Sequence, residues 1–208
     1  MTTIGGAALS VVVVGAGSVG TALATNLRRL GHRVRFARRA PRDDEVEIDG
    51  ASVGADLTVL AVPFGVVGDV VPRLGLSAGD VVVDATNPFG RPLPVDATAG
   101  AAVVADAAGP GIHVVKAFNV MGAEHLSDPT LPDGSRPLLP VAADDDIARS
   151  RVVALARDMG FDAVPIAGLS NSALLEDAAR YWGLLAMNGG LGRDVVLVAH
   201  RRRADPAP

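Results

Sequence analysis

Residues 9–44 read "LSVVVVGAGSVGTALATNLRRLGHRVRFARRAPRDD", and this stretch decides the fold. Four consecutive valines lead into glycines at positions 15, 17 and 20. Apolar residues then recur at helical spacing over residues 18–30, and Gly31 stands where a glycine commonly ends a helix. A second apolar run, "RVRFA" (33–37), follows. This order predicts a strand, a glycine turn, a helix and a second strand.

The glycine spacing in this context is typical of a dinucleotide-binding turn. Gly15 permits the tight turn, Gly17 lets the backbone approach a pyrophosphate, and Gly20 lets the helix pack closely on the strand. The pyrophosphate would bind N–H groups at the positive end of the helix. Because strand, motif, helix and second strand fall within about 30 residues, the sequence favours this interpretation over a purely structural turn.

Two arginines, Arg38 and Arg39, end the second predicted strand. Enzymes that use NAD commonly have a carboxylate there, which binds the ribose 2′-hydroxyl and would repel a 2′-phosphate. A guanidinium can instead bind a 2′-phosphate through charge-assisted hydrogen bonds. The sequence therefore favours NADP. A solvated basic loop is the alternative, and Asp43 and Asp44 keep NAD open.

Further short apolar runs alternate with helix-like segments along the chain, at 57–62, 81–85, 113–118, 138–143 and 162–167. This alternation predicts an α/β fold with a Rossmann-type, doubly wound parallel sheet. We expect a dinucleotide-binding domain at 1–125, a small C-terminal α/β portion at 126–200, and a disordered tail at 201–208.

The composition excludes several classes of function. The chain has 208 residues, 49% of them hydrophobic, a net charge of −4 and no cysteine. It therefore has material for a sizeable core, no basic excess for nucleic acid, and no thiolate metal site. No apolar run reaches the roughly 18 residues of a membrane span. We expect a cytoplasmic protein without metal, nucleic-acid or membrane partners.

Three strand exits carry the remaining candidate site residues: "AVPF" (61–64), "ATNPFG" (85–90) and "KAFNVMGA" (116–123). In an open parallel sheet, ligands bind outside the carboxyl ends of the strands. Asn87 and Asn119 would offer amide groups there. Any one of these segments could be an ordinary loop, but three such exits in one sheet indicate a site.

The segments "GAGSVG", "VVVDATNPFG", "HVVKAFNVMGAEHL" and "AGLSNSALLEDAARYWGLLAMN" make the chain resemble the NADPH:coenzyme F420 oxidoreductases and their near relatives. The resemblance covers almost the whole chain in order. It implies a homodimer in which hydride passes between NADPH and a deazaflavin. It places cofactor contacts at the three glycines and at Ser18, Val19, Arg38, Arg39, Val62, Pro63, Asn87, Pro88, Asn119 and Ala123.

The sequence shows no Ser/Tyr/Lys or His/Asp arrangement that could relay a proton. The candidate catalytic residues are Lys116 and Asn119, which belong to the exit of one predicted strand. Lys116 could aid catalysis as a cation or could pair with a neighbouring carboxylate. Coenzyme F420 is the favoured acceptor, and its phosphate and glutamate tail could contact Lys116, Arg136, Arg180 or Arg193. Alternatives are an NADPH-dependent reductase of an imine, an activated alkene or a flavin, and a non-catalytic NADP-sensing module.

The predicted C-terminal helix, within 170–188, carries apolar residues at three- and four-residue spacing. The pattern predicts one buried face made of Leu174, Leu175, Ala178, Trp182 and Leu185. By the resemblance, this segment reaches a partner subunit and encloses the nicotinamide. Packing within one subunit is the alternative.

Overall fold

A computed structural model describes residues 7–42 and 44–202 of the chain. Asp43 and most of the predicted tail, 203–208, lie outside the described residues. The strands are β1 (Ser10–Val14), β2 (Arg33–Arg38), β3 (Val46–Glu47), β4 (Leu57–Leu60), β5 (Val81–Asp84), β6 (His113–Lys116), β7 (Leu138–Ala143) and β8 (Asp162–Ala167). The α-helices are α1 (Ser18–Arg29), α2 (Val67–Val70), α3 (Gly100–Ala108), α4 (Ala123–Ser127), α5 (Asp146–Asp158) and α6 (Ser172–Gly183).

All eight strands form one sheet in the order β3-β2-β1-β4-β5-β6-β7-β8. The first six are parallel, and their order is that of a Rossmann sheet. The prediction of an α/β, Rossmann-type fold is confirmed. β7 runs antiparallel to β6, with Lys116 opposite Ala142, and β8 runs parallel to β7. The strands of the predicted C-terminal portion thus extend the same sheet.

Both faces of the sheet are buried, and β1 shows why its sequence is continuously apolar. Val11 and Val13 belong to one hydrophobic cluster, with α1 and α5, whereas Val12 and Val14 belong to the other, with α2 and α3. Successive residues of a strand point to opposite faces. A strand covered on both sides therefore needs apolar residues at every position.

A buried amide joins the two predicted portions on the α1 side. Asn26 of α1 is fully buried, and its Nδ2 donates to the carbonyl oxygens of Leu126 at 3.1 Å and Met159 at 3.2 Å. These carbonyls belong to α4 and to the residue that ends α5. The amide fixes where α1 lies against both helices, because a buried donor left without its acceptor would be costly.

The prediction of one buried face on the C-terminal helix was wrong for Leu174. Its side chain is 65% exposed, whereas Leu175 is 4% exposed. Adjacent helical positions lie about 100° apart, so only one of the pair can occupy the inner stripe. That stripe consists of Ser172, Leu175, Glu176, Ala179 and Trp182. α6 continues as a single π-helical segment, Leu184–Asn188.

Candidate functional site

The glycine turn follows β1 and is shaped by close backbone packing. Gly15 has φ +101°, and its N–H donates to the carbonyl of Ala37 at 3.0 Å. A Cβ at Gly15 would lie 2.5 Å from the carbonyl oxygen of Ala61, at the exit of β4. A Cβ at Gly20 would collide with the carbonyl of Gly15. These contacts match the predicted tight turn and close helix packing.

Gly17 differs from the other two glycines of the motif. Its φ is −77°, a conformation open to any residue, and a Cβ there would meet no described atom within 4 Å. Packing within the described residues therefore gives no reason for glycine at this position. The space beside Gly17 is open at the start of α1, where a ligand could approach the backbone.

The first turn of α1 has the character of an anion site. Gly17 precedes the helix, Ser18 is exposed and Val19 is partly buried. Among the described residues, no side chain caps this helix start, and the first turn contains no acidic residue. Its N–H groups and the positive end of the helix dipole are therefore available to a phosphate group.

A cleft beside the turn brings together residues from four segments. Its volume is about 180 Å³, and it lies between the glycine turn, the end of β2 and the exit of β4. Of the predicted site residues, it contains Gly15, Arg38, Arg39, Val62 and Pro63. Sequence reasoning missed Ile48, Val66 and Val70, whose side chains supply an apolar wall. An aromatic base could lie against this wall with its sugar near the arginines.

Arg38 is held in place by Glu45, a residue that sequence reasoning also missed. The Arg38 guanidinium contacts the Glu45 carboxylate at 3.1 Å. The backbone N–H of Arg42 and the guanidinium of Arg38 lower the pKa of the Glu45 carboxyl. Glu45 reaches Arg38 because the two-residue strand β3 pairs with β2. A strand this short leaves no periodic signal in the sequence. Arg39 is exposed.

The exits of β5 and β6 meet through a pair of amides. Asn119 Nδ2 donates to Asn87 Oδ1 at 3.0 Å, and Asn87 Nδ2 donates to the carbonyl of Asn119 at 2.9 Å. Asn119 Nδ2 also donates to the carbonyl of Leu175 at 3.1 Å. Phe118, just before Asn119, has φ +61°, a strained value for a non-glycine residue. The structure therefore brings Asn87 and Asn119 together, beside the buried Pro88.

Lys116 lies in a buried cluster of charges. Its Nζ is 2.9 Å from Asp84 Oδ2, 3.2 Å from Glu176 Oε1 and 2.6 Å from the carbonyl oxygen of Thr86. Lys116 and Asp84 are fully buried, and Glu176 is 2% exposed. Of the two roles predicted for Lys116, this geometry matches pairing with carboxylates. Glu176 was not predicted, because its position among the helical residues of α6 looks like that of a solvated acid.

The other cationic candidates each contact different residues. Arg193 pairs with Glu124 at 2.7 Å and lies over the ring of Trp182. Glu124 follows Ala123, so Arg193 is near one predicted cofactor contact. Arg180 pairs with Asp177 on the surface of α6. Arg136 lines a separate cleft with Arg29 and Pro129.

Residues 7–42 and 44–202 contain neither a metal-binding cluster nor a membrane-spanning helix. Their His, Asp and Glu side chains form no group of three or more that could hold a metal ion. None of their helices has the length and apolarity needed to cross a membrane.

Comparison with known proteins gives a family match for the N-terminal part of the chain. Residues 10–88 match a family described as "NADP oxidoreductase coenzyme F420-dependent". No curated protein has significant similarity to the sequence.

Solved structures resemble the chain over most of its length. A protein from Arthrobacter sp. FB24, proposed to be an F420-dependent NADP reductase, has a TM-score of 0.81 and 22% identity, with 93% of this chain and 100% of that chain covered. A hypothetical protein from Sinorhizobium meliloti has a TM-score of 0.69 and 26% identity, covering 79% and 88%. A reductive aminase from Aspergillus terreus, in complex with NADPH and ethyl levulinate, has a TM-score of 0.63 and 16% identity, covering 88% and 63%.

Proposed function

We propose that the chain, whose residues 10–88 match the coenzyme F420-dependent NADP oxidoreductase family, transfers hydride between NADP(H) and coenzyme F420. The observation that carries the cofactor assignment is the cleft where Gly15, Arg38 and Arg39 meet. It combines an open glycine turn with two guanidinium groups and an apolar wall.

The described residues fit an NADP molecule. The backbone at Gly17 and the first turn of α1 would hold the pyrophosphate, because that helix start has N–H groups and open space. Arg38 and Arg39 would bind the 2′-phosphate, and Val62 and Pro63 would cover the adenosine. Asn87, Pro88, Asn119 and Ala123 would surround the nicotinamide, which supplies the hydride when the cofactor is bound.

The chain's own residues would act by positioning and by excluding water. Lys116 is enclosed by carboxylates and a carbonyl, so it would orient the strand exits rather than transfer a proton. A site without an evident general acid suits a redox cofactor as acceptor better than a ketone. This supports coenzyme F420 over a ketone as the acceptor.

The acceptor can be tested by following NADPH absorbance with coenzyme F420, with FMN and with a panel of cyclic imines. We expect turnover with F420. Turnover with imines alone would assign a different reductase activity. NADPH binding without turnover of any of the three would favour an NADP-sensing module.

We expect Arg38→Ala to weaken NADPH binding by about ten- to hundredfold, because a charge-assisted hydrogen bond to the 2′-phosphate is lost. NADH binding should change little. Titration of both cofactors by calorimetry measures the difference. Arg33→Ala, at the opposite end of β2, is the matched control. Equal losses for NADPH and NADH would contradict the assignment of Arg38 to the 2′-phosphate.

We further propose that the chain forms a homodimer through the outer face of α6 and the segment after it. Large apolar side chains are exposed along this face, at Leu174, Tyr181, Leu184, Met187 and Leu191. Such a row is unusual on a monomer. The same face carries Asp177 and Arg180, so two copies related by a two-fold axis could pair opposite charges.

A Leu184→Glu substitution should therefore weaken dimerisation by about tenfold or more, because it places a charge among apolar side chains in the interface. Sedimentation velocity over a concentration series measures the change. Ile147→Glu is the control, since Ile147 is also apolar and exposed but lies on α5. A monomeric parent protein would contradict the proposal, as would a dimer that is unaffected by Leu184→Glu.

A further inference from the structure

Glu176 joins three elements through one buried carboxylate. Its Oε2 accepts the N–H of Gly100 at 3.0 Å, and its Oε1 accepts the N–H of Ala101 at 3.2 Å. Oε1 also lies 3.2 Å from Lys116 Nζ. Glu176 belongs to α6, whereas its partners begin α3 and end β6. The carboxylate therefore fixes α6 against the part of the sheet that carries the predicted nicotinamide contacts.

The cluster contains one more acidic than basic side chain, and the N-terminus of α3 offsets part of this excess. Asp84 and Glu176 are the two acids, and Lys116 is the one base. The N-terminus of α3 contributes positive potential through the helix dipole and through the two N–H groups that Glu176 accepts. Buried ion clusters are often no more stabilising than apolar residues of similar volume. Stability alone therefore does not account for a charged cluster here, whereas a need for fixed geometry does.

The residue next to Glu176 connects the cluster to the amide pair. The carbonyl of Leu175 accepts a hydrogen bond from Asn119 Nδ2, whose second hydrogen bond goes to Asn87. One turn of α6 thus holds both the buried charges and the amides at the exits of β5 and β6. The strained backbone at Phe118 leads directly into this pair.

We propose that Glu176 is a positioning residue that fixes the Asn87–Asn119 pair and thereby orders the nicotinamide half of the bound cofactor. The proposal rests on the proposed function, because it assumes that NADPH lies with its nicotinamide at this pair. Glu176 does not line the cleft that contains Gly15, Arg38 and Arg39. Its loss should therefore affect only ligands that extend to the amide pair.

Glu176→Gln tests this with little change of shape. All three partners of the carboxylate are donors, so the amide NH₂ would face a donor and loosen α6. We expect the variant to bind NADPH about five- to tenfold more weakly, while its affinity for adenosine 2′,5′-bisphosphate, which lacks the nicotinamide, stays unchanged. Amides of α6 should also exchange hydrogen faster. Asp106→Asn, at an exposed position of α3, is the control.

Asn87→Ala gives a second test that does not disturb the buried charges, and we expect the same selective loss of NADPH. For either variant, equal loss of both ligands, or no loss of either, would overturn the proposal. A parent protein that binds neither ligand would instead refute the proposed function, and with it the role of Glu176.

Discussion

A Gly17→Val variant folds like the parent protein and loses NADPH binding. We expect the affinity to fall by roughly a hundredfold or more, equivalent to about 2.7 kcal/mol or more. The protein itself can accommodate the new side chain, because a Cβ at Gly17 meets no described atom within 4 Å and the backbone is in an ordinary conformation. The valine would instead occupy the space where the pyrophosphate approaches the backbone.

Calorimetric titration with NADPH, together with a thermal unfolding curve, checks both parts of this prediction. Gly68→Val is the matched control. Gly68 is exposed in α2, a Cβ there is equally unobstructed, and the residue lies half a turn from Val66 and Val70, which face the cleft. If Gly17→Val bound NADPH normally, the glycine turn would be structural and the cofactor assignment would fail.

The second large effect is expected from Lys116→Met, which should destabilise the fold by about 3–5 kcal/mol. The substitution nearly preserves the volume of the side chain but leaves Asp84 and Glu176 buried without their counter-charge. Urea unfolding followed by circular dichroism measures the loss. Any loss of binding and activity should follow the loss of folded protein.

Arg73→Met provides the comparison for that measurement. Arg73 also makes an ion pair, with Asp49 at 2.8 Å, but on the surface, where solvent replaces the lost contact. Its urea midpoint should barely move. A Lys116→Met protein that remained as stable as Arg73→Met, yet showed no turnover, would support the alternative role of Lys116 as a catalytic cation.

The fold was predictable from the sequence because it depends on short-range patterns of apolar residues and glycines. The valines of β1 had to be buried on both faces, and the glycine spacing fixed the turn between β1 and α1. The residues at the carboxyl ends of the parallel strands were predictable too, because all such ends meet at one edge. The cleft beside the glycine turn accordingly contains five of the residues predicted to bind the cofactor.

What could not be predicted depends on contacts between distant residues. Glu45 reaches Arg38 only because of a two-residue strand, and Glu176 lies 60 positions along the chain from Lys116, on a helix whose pattern gives no sign of a buried acid. The burial of Leu174 was predicted wrongly because Leu174 and Leu175 are adjacent and equally apolar. Helical spacing identifies a stripe, but not which of two adjacent apolar residues belongs to it.

Glu176 is synthesised later than all of its hydrogen-bond partners. Asp84 and Lys116 can pair as soon as β5 and β6 have left the ribosome, because both belong to adjacent parallel strands. The N–H groups of Gly100 and Ala101 gain their acceptor, the Glu176 carboxylate, only when the chain has grown by a further 76 and 75 residues. Until then α3 lacks the packing of α6. Completion of the fold is therefore a late event in synthesis, and premature release of the chain leaves the residues that contact α6 uncovered and prone to aggregation.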